Sequence, residues 1–172
     1  PDYTVKPEGE RPFYTAILWL EPFSEMNRRA FGYDMYSEPV RRAAMDRARD
    51  TGMTSISGRI VLVQETEENV QHGILMYLPS YHWGMSIDTV EQRRDALRGF
   101  VYSPIRMNDF IHGALTRMPE GVDLTIYSGQ QPLPNNLLFS SRQVAQRSLP
   151  SGYEPAFFTS RTIEAYGATW HL

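Results

Sequence analysis

Residues 31–81 carry the pattern that decides the fold: FGYDMYSEPVRRAAMDRARDTG (31–52), TSISGRIVLVQE (54–65) and VQHGILMYLPSY (70–81). The first part has the pattern of a capped helix, and the other two are apolar stretches of strand length joined by an acidic turn. Because both stretches are apolar on two faces, a layer of structure is needed on each side. The pattern predicts a sheet core in a mixed α/β domain.

The helix in this stretch has well-marked ends. Ser37 is the predicted N-cap, Pro39 lies in the first turn, and Gly52 supplies the left-handed residue that commonly ends a helix. The arginines of the helix are expected on its solvated face. The buried face is predicted from small residues at helical spacing, namely Val40, Ala43, Ala44 and Ala48.

The strand predicted over residues 71–78 separates its side chains between two faces. Gly73, Leu75 and Tyr77 are expected on one face, and Ile74 on the other, because successive side chains alternate along a strand. Gly73 leaves room beside it. Pro79 is predicted to end the pairing of this strand, since proline cannot donate a backbone hydrogen bond.

Composition narrows the class of protein. The chain has 172 residues, of which 41% are hydrophobic and 22% charged, as in globular proteins. The net charge is −3, from 17 basic and 20 acidic residues, which gives no general attraction for nucleic acid. The absence of cysteine excludes disulfides, thiol catalysis and cysteine-ligated metals. No apolar stretch reaches the roughly 20 residues that span a bilayer.

The rest of the chain repeats one order of elements without a sequence repeat. Strands are predicted at 13–20, 53–57, 59–64, 100–105, 122–127 and 137–140, and in the tail after residue 156. Helices are predicted at 23–31, from 88 to 97, at 108–117 and at 142–148. Each half runs strand, helix, then antiparallel strands. The predicted fold class is therefore α/β (α+β), with two small units at residues 1–87 and 88–172.

Catalytic and metal-binding patterns are absent from the sequence. The four histidines have no metal-ligand spacing, and the chain has no GxSxG, GxxxxGK[ST] or GxGxxG motif. We expect no catalytic residue, no metal and no cofactor. An enzyme would need a reaction that depends on Asp34 or a histidine, and no motif indicates one.

Two roles, packed core and ligand-binding slot, stay open for the residues on the apolar face beside Asp34 and Tyr77. Asp34 lies between aromatic residues, where it either satisfies backbone N–H groups in a turn or contacts a ligand. Tyr77 is either core or a ligand contact. The same alternative, core or pocket lining, applies to a further group: Tyr14, Ile17, Leu62 and Leu75.

With these residues in hand, the chain resembles a CHASE domain, the extracytoplasmic sensory module of cyclases, histidine kinases and diguanylate cyclases or phosphodiesterases. The resemblance runs through PDYTVKPEGER, LWLEP, NRRAFGYDMYSEPVRRAAMDRARDTG, IVLVQE, GILMYLPSY and RRDALRGFVYSPIR. It covers roughly the first three quarters of the chain and is looser after Gly121. It implies two tandem PAS-like units, the first of which, farther from the membrane, binds ligand. The stalk helix of the family is missing, so we expect a piece of a longer polypeptide.

The resemblance also implies site residues. Asp34 corresponds to the aspartate that holds a purine in plant cytokinin receptors. Tyr77 falls near the position of a threonine in those receptors, and the larger side chain disfavours a cytokinin-like ligand. A backbone contact falls near Leu62 or Val63. With Gly73 beside them, these residues complete the predicted ligand-binding set.

The expected function is that of an extracytoplasmic small-molecule sensor in a membrane-anchored receptor. Its partners would be a ligand of unknown identity and a second copy in a homodimer, with no nucleic acid, and the membrane would be reached only through flanking segments. Ligand occupancy would pass to a cytoplasmic cyclase, kinase or diguanylate cyclase/phosphodiesterase. The alternative is a structural dimerisation module whose pocket is filled by its own side chains, Met76 and Tyr77.

Overall fold

In the computed structural model, which describes residues 3–62, 72–115, 121–148, 152 and 154–172, the chain forms two antiparallel sheets with short helices. The helices are α1 (Glu25–Arg28), α2 (Pro39–Thr51), α3 (Val90–Ala96), α4 (Met107–Ala114) and α5 (Ser141–Val144). Two single turns of 3₁₀-helix cover Met35–Ser37 and Pro134–Asn136. None of the described helices is long and apolar enough to cross a bilayer.

The strands divide equally between the sheets. The first sheet contains β1 (Ser55–Ile56), β2 (Ile60–Val61), β3 (His72–Tyr81) and β4 (Leu97–Arg106). The second has the order β6 (Leu137–Ser140), β5 (Thr125–Ser128), β8 (Ala168–His171) and β7 (Thr162–Ala165). All pairings are antiparallel. The predicted fold class, mixed α/β with antiparallel sheets, is confirmed.

Strand β3 divides the hydrophobic core into two clusters, as the alternation of its side chains predicted. Leu75 and Tyr77 face α2 in one cluster, with Ala44, Met45 and Ala48 of that helix. On the other face, Ile74 joins the second cluster, whose members come from α4 and the second sheet: Met107, Ile111, Ile126, Leu138 and Phe139. Each face of β3 is therefore covered.

Helix α2 differs from its prediction at its start and on its buried face. Glu38, not Ser37, is the N-cap, because its carboxylate accepts hydrogen bonds from the backbone N–H groups of Val40 and Arg41. The helix ends at Thr51, before Gly52 in the left-handed conformation, as predicted. Its buried residues are Arg41, Ala44, Met45 and Ala48. The buried face is therefore rotated from the predicted one, and Arg41, expected in solvent, lies inside.

The strand predicted at residues 13–20 is wrong. Only Ala16 forms a bridge, with Asp34, and this segment pairs with an irregular piece of chain. The N–H of Ile17 donates to Tyr33 O at 3.0 Å, and the N–H of Gly32 donates to Ile17 O at 3.0 Å. Because those partners precede a 3₁₀ turn rather than a strand, pairing stops after a few bonds.

Pro79 does not end the pairing of β3, which continues to Tyr81. The backbone of Leu75 faces β1, since Leu75 O accepts from the N–H of Ser57. Pro79, four residues later, faces the same side, where the pairing with β1 ends at Tyr77. Its missing N–H therefore costs no ladder bond, and β4 continues alone on the other side.

The long pairing of β3 with β4 crosses the predicted boundary between the units at residues 87 and 88. Nine residue pairs, from Gly73 with Arg106 to Tyr81 with Leu97, join the strands. The division into two units stays a prediction. The turn predicted at residues 65–69 lies outside the described residues.

Candidate ligand-binding site

Asp34 is fully buried, and its carboxylate is occupied by the protein. Its Oδ1 accepts hydrogen bonds from the backbone N–H of Thr15 at 2.8 Å, the hydroxyl of Thr15 at 3.1 Å and the N–H of Tyr36 at 3.2 Å. Oδ2 lies 2.9 Å from Nε of Arg11, in an alignment that makes an ion pair and no hydrogen bond. Asp34 thus joins the N-terminal segment to the turn before α2.

Tyr14 is placed by the same N-terminal segment, and it is exposed. Its hydroxyl donates to Gly9 O at 3.0 Å and accepts from the N–H of Arg11 at 2.8 Å. The guanidinium of Arg11 also lies over the ring, 5.0 Å from its centre. Tyr14 therefore supports Arg11, the ionic partner of Asp34, and it is absent from the hydrophobic cluster around Tyr77.

Tyr77 fills the interior between α2 and the first sheet. It is fully buried, its ring packs edge-on against Phe100, and its hydroxyl lies 3.8 Å from Sδ of Met35. Burial raises the pKa of Tyr77 far above its usual range. Ile17, Leu62 and Leu75 belong to the same cluster. With these contacts Tyr77 is a core residue that occupies the middle of the predicted slot.

Gly73 is required by close packing beside this cluster. A Cβ on Gly73 would lie 2.8 Å from Ile105 O and 3.0 Å from the side chain of Leu62. The room predicted next to Gly73 is therefore taken by Leu62 and by the backbone of β4.

An open cleft of about 470 Å³ adjoins Leu62, and its volume is in the range of small-molecule sites. It is formed by the segment before α2, the first turns of α2 and the region of β2. We call it the arginine cleft, after two of its lining residues. The lining consists of Tyr33, Glu38, Arg41, Arg59, Ile60, Val61 and Leu62.

Arg41 is the buried charge of this cleft, with 3% of its surface exposed. Its Nη2 donates to Val61 O at 2.9 Å, and its guanidinium lies over the ring of Tyr33, 4.9 Å from the centre. Its Nε is buried without a hydrogen-bond partner. Among the described residues, no carboxylate forms an ion pair with Arg41. A buried guanidinium held only by a carbonyl and an aromatic face is short of negative charge.

Arg59, a second arginine in the lining of the cleft, also lacks a negatively charged partner among the described residues. Its Nη1 donates to Asn135 O at 2.9 Å, and its Nη2 lies 2.5 Å from Nε2 of His72. Its Nε is also buried without a partner. Burial lowers the pKa of Arg59, and both burial and the charge of Arg59 lower the pKa of His72. Neither of these neighbours of Arg59 is an anion, so within the described residues the cleft holds two cations whose contacts are with neutral groups.

Two other surface depressions have similar volumes, about 440 and 450 Å³. Neither contains a buried charged residue in its lining. The first is lined by Thr4, Lys6, Phe23, Glu25, Arg28, Arg29 and Phe31, and the second by residues 5, 7–10 and 14. Burial of charge therefore distinguishes the arginine cleft from the other two.

Comparison with known proteins identifies the family of this chain. The family model for the CHASE domain matches residues 1–139, more than half of the chain. The chain belongs to the CHASE domain family. It is also 30% identical over 118 residues to hybrid signal transduction histidine kinase A of Dictyostelium discoideum. That match covers 66% of this chain and 5% of the relative, so the matched region is a small part of the length of that kinase. CHASE domains are sensor modules of signalling receptors such as histidine kinases.

The residues predicted as the ligand site of this CHASE domain fall into three places. Ile17, Leu62, Leu75 and Tyr77 come together in one cluster, beside Gly73. Asp34 and Tyr14 lie apart from this cluster, and both contact Arg11 of the N-terminal segment. Val63 lies outside the described residues. Among the described members of the set, Leu62 alone also lines the arginine cleft, and the ligand contacts of the set stay a prediction.

Sequence reasoning missed Arg41 and Arg59. A signal for Arg41 was present, because Arg41, Ala44, Met45 and Ala48 recur at the spacing of one helix face. The set of small residues, Val40 among them, was preferred because arginine is rarely buried. Arg59 follows Gly58 between two short strands, and nothing in the local pattern sets it apart from a surface arginine.

Proposed function

We propose that this CHASE domain is the extracytoplasmic small-molecule sensor of a membrane-anchored receptor. Ligand occupancy would pass to a cytoplasmic output domain, which is a cyclase, a kinase or a diguanylate cyclase/phosphodiesterase. The whole receptor would be a homodimer, and flanking segments would anchor it in the membrane. Membership of the family supports the sensor role, and similarity to a hybrid histidine kinase supports a kinase among the outputs.

The observation that carries the proposal is the arginine cleft beside the predicted slot. Small-molecule sites are usually concave and largely pre-formed, with a few polar groups that fix the ligand. The cleft has apolar walls from Ile60 and Leu62, and polar groups from Tyr33, Arg41 and Arg59. Leu62 joins the cleft to the cluster around Tyr77, so the predicted residues would form the floor and support of the site.

Asp34 would affect ligand binding indirectly, because it holds in place a residue that lines the cleft. Its bonds to Thr15 and Tyr36 fix the segment that carries Tyr33, and Tyr33 lines the cleft. We propose that Asp34 sets the cleft wall, in addition to any direct contact that the family position implies.

A thermal-shift screen of the purified chain tests the sensor role. The screen would contain small amines, purines and carboxylates, and a ligand that binds only the folded state raises the melting temperature in a concentration-dependent way. In the full receptor, the same compound should change output, since a sensor must bind one state better than the other. A compound that binds tightly and leaves the output unchanged contradicts the proposal.

The second candidate function is a structural dimerisation module without a ligand. The complete burial of Tyr77 favours it, because the side chain already fills the predicted slot. Under this function no compound in the screen raises the melting temperature, and the full receptor dimerises regardless. Native mass spectrometry of the purified chain separates the two functions further, since a co-purified small molecule contradicts the structural one.

A further inference from the structure

The charges around the arginine cleft are unbalanced. Arg41 and Arg59 both line it, and each has a buried Nε without a hydrogen-bond partner among the described residues. Their other side-chain contacts are with the carbonyls of Val61 and Asn135 and a ring nitrogen of His72. Glu38 is the one acid among the described lining residues, and its two oxygens accept from backbone N–H groups at the start of α2. Within the described part of the chain, the cleft therefore has two guanidiniums and one carboxylate, and that carboxylate already binds the backbone.

Several other arginines of the described chain do have a carboxylate partner. Arg11 is paired with a buried carboxylate, and Arg49 and Arg94 are paired with Asp50. Buried arginines elsewhere in proteins are normally neutralised, since an isolated charge in the interior is costly. Arg47 and Arg93 also lack a carboxylate partner among the described residues, but their Nε atoms donate to Ser55 Oγ and Asp50 O. Arg41 and Arg59 differ from all of these, because each has neither a carboxylate partner nor a hydrogen bond at Nε within the described chain, and each lines a cavity of ligand size.

We infer that the arginine cleft binds the anionic group of a small molecule, a carboxylate or a phosphate, through Arg41 and Arg59. A guanidinium presents N–H donors in a planar fork that matches both groups. The ring of Tyr33 holds the Arg41 guanidinium from one face, so its donors are oriented before the ligand arrives. Apolar contact with Ile60 and Leu62 would then select the rest of the molecule.

This inference rests on the proposed function, because it names the ligand class for the same cleft. It disfavours amines as ligands, although the family position of Asp34 alone would favour a donor-rich or cationic molecule. Asp34 is neutralised by Arg11 inside the fold, whereas the two cleft arginines have no such partner among the described residues.

Nitrogen–proton correlation spectra of the isotope-labelled chain provide a direct test, because the Nε–H groups of arginine give separate signals. The probes are succinate, its neutral diamide succinamide, and inorganic phosphate, in a buffer without other multivalent anions. We expect saturable shifts of the Arg41 and Arg59 signals with succinate or phosphate, and none with succinamide. The anion that binds more tightly identifies carboxylate or phosphate as the group. Equal shifts with the diamide, or no shift with either anion, would overturn the inference.

Arg59→Gln removes one of the two guanidiniums. The anion that binds more tightly, succinate or phosphate, should then bind about tenfold more weakly or worse, because hydrogen bonds to charged groups are strong. Arg41→Lys keeps the charge but loses the fork, and should also weaken binding. Arg98→Gln is the matched control, because Arg98 is exposed on β4 and does not line the cleft. Its effect should stay within about twofold. Equal losses in Arg59→Gln and Arg98→Gln would indicate general charge screening and overturn the inference.

The outcomes separate this inference from the sensor role. If a neutral compound binds the chain and changes receptor output, with no effect of Arg59→Gln, the anion site is wrong and the sensor role stands. If succinate or phosphate binds through the arginines and no compound changes receptor output, the anion site stands and the sensor role is wrong.

Discussion

Asp34 and Arg41 are both charged, both buried and close to the same helix, yet their surroundings differ in one respect. Each oxygen of Asp34 has a partner from the chain, through Thr15, Tyr36 and Arg11. Within the described chain, the Arg41 side chain has one hydrogen bond and one aromatic contact, and its Nε has no hydrogen-bond partner. The charge of Asp34, which the protein satisfies, holds the fold together, whereas the charge of Arg41 is the one that we propose to contact a ligand.

Tyr77 contacts Met35, the residue after Asp34, and packs against α2, the helix that carries Arg41. Removal of the Tyr77 side chain has the largest expected effect on stability. Tyr77→Ala should lower the free energy of unfolding by about 4 kcal/mol, as for other buried aromatic residues cut to alanine. The control is Tyr77→Phe, which keeps the ring and loses only a weak contact with Met35. Denaturant unfolding measures both. A small effect of Tyr77→Ala would show that the side chain is a removable plug, and the predicted slot would then be real.

Asp34→Ala tests the satisfied side of the comparison. The change leaves Arg11 and the backbone donors of Thr15 and Tyr36 unpaired, so we expect a loss of about 3 kcal/mol in the free energy of unfolding. Asp95→Ala, at an exposed position of α3, is the control. If Asp34→Ala leaves stability unchanged and weakens ligand binding by about 1 to 3 kcal/mol in calorimetry, the family-based role as a direct ligand contact is correct.

Arg41→Met tests the unsatisfied side. The loss of the bond to Val61 and of the contact with Tyr33 is offset by removal of a poorly compensated charge. The net loss in the free energy of unfolding should therefore be about 1 kcal/mol, well below that of Asp34→Ala. Denaturant unfolding of Arg41→Met, with the exposed-site variant Arg98→Met as the control, measures this loss. A loss as large as that of Asp34→Ala would mean that the fold depends on both charges alike.

Tyr102→Phe has the smallest expected effect at neutral pH, within about 0.5 kcal/mol, because its buried hydroxyl has no hydrogen-bond partner among the described residues. Burial raises the pKa of Tyr102 from 10.0 to about 12, against the opposing charge of Arg41. A raised pKa means that the folded state holds the proton more tightly. Its contribution is therefore complete below pH 10 and lost as the pH rises through about 12.

Unfolding measured from pH 8 to pH 12 checks the sign of this contribution. Tyr102→Phe should reduce the alkaline loss of stability by about 1 kcal/mol, a value discounted for the partial exposure of the residue. The burial of Tyr77 acts in the same direction and leaves a residual slope. An unchanged pH profile would contradict the burial of the Tyr102 hydroxyl beside the cleft arginine.

The fold was predictable where the pattern was periodic and the partners were local. The ends of α2 near Pro39 and Gly52 and the alternation along β3 follow from spacing alone. The strand at residues 13–20 failed because apolar alternation does not reveal whether a partner strand exists. Pro79 was misjudged for a similar reason, since its cost depends on which edge of β3 has a neighbour.

The candidate site was less predictable, because it depends on tertiary contacts between distant residues. Asp34 was identified from its aromatic neighbours, but Arg11, 23 residues earlier, decides its charge balance. Arg41 occupies a buried face that average propensities assign to smaller residues. Its importance is visible only when Val61 and Tyr33 are seen around it.

The position of β3 has a consequence for how slowly its backbone exchanges hydrogen with solvent. A core covers each of its faces, β1 and β2 pair with one edge, and β4 pairs with the other. The amides from Gly73 to Tyr77 should therefore exchange only through global unfolding, while those of β2 and the start of α2 open locally. A ligand in the cleft would slow the second set and leave the first unchanged. Strand β3 would then act as the fixed frame against which the cleft closes.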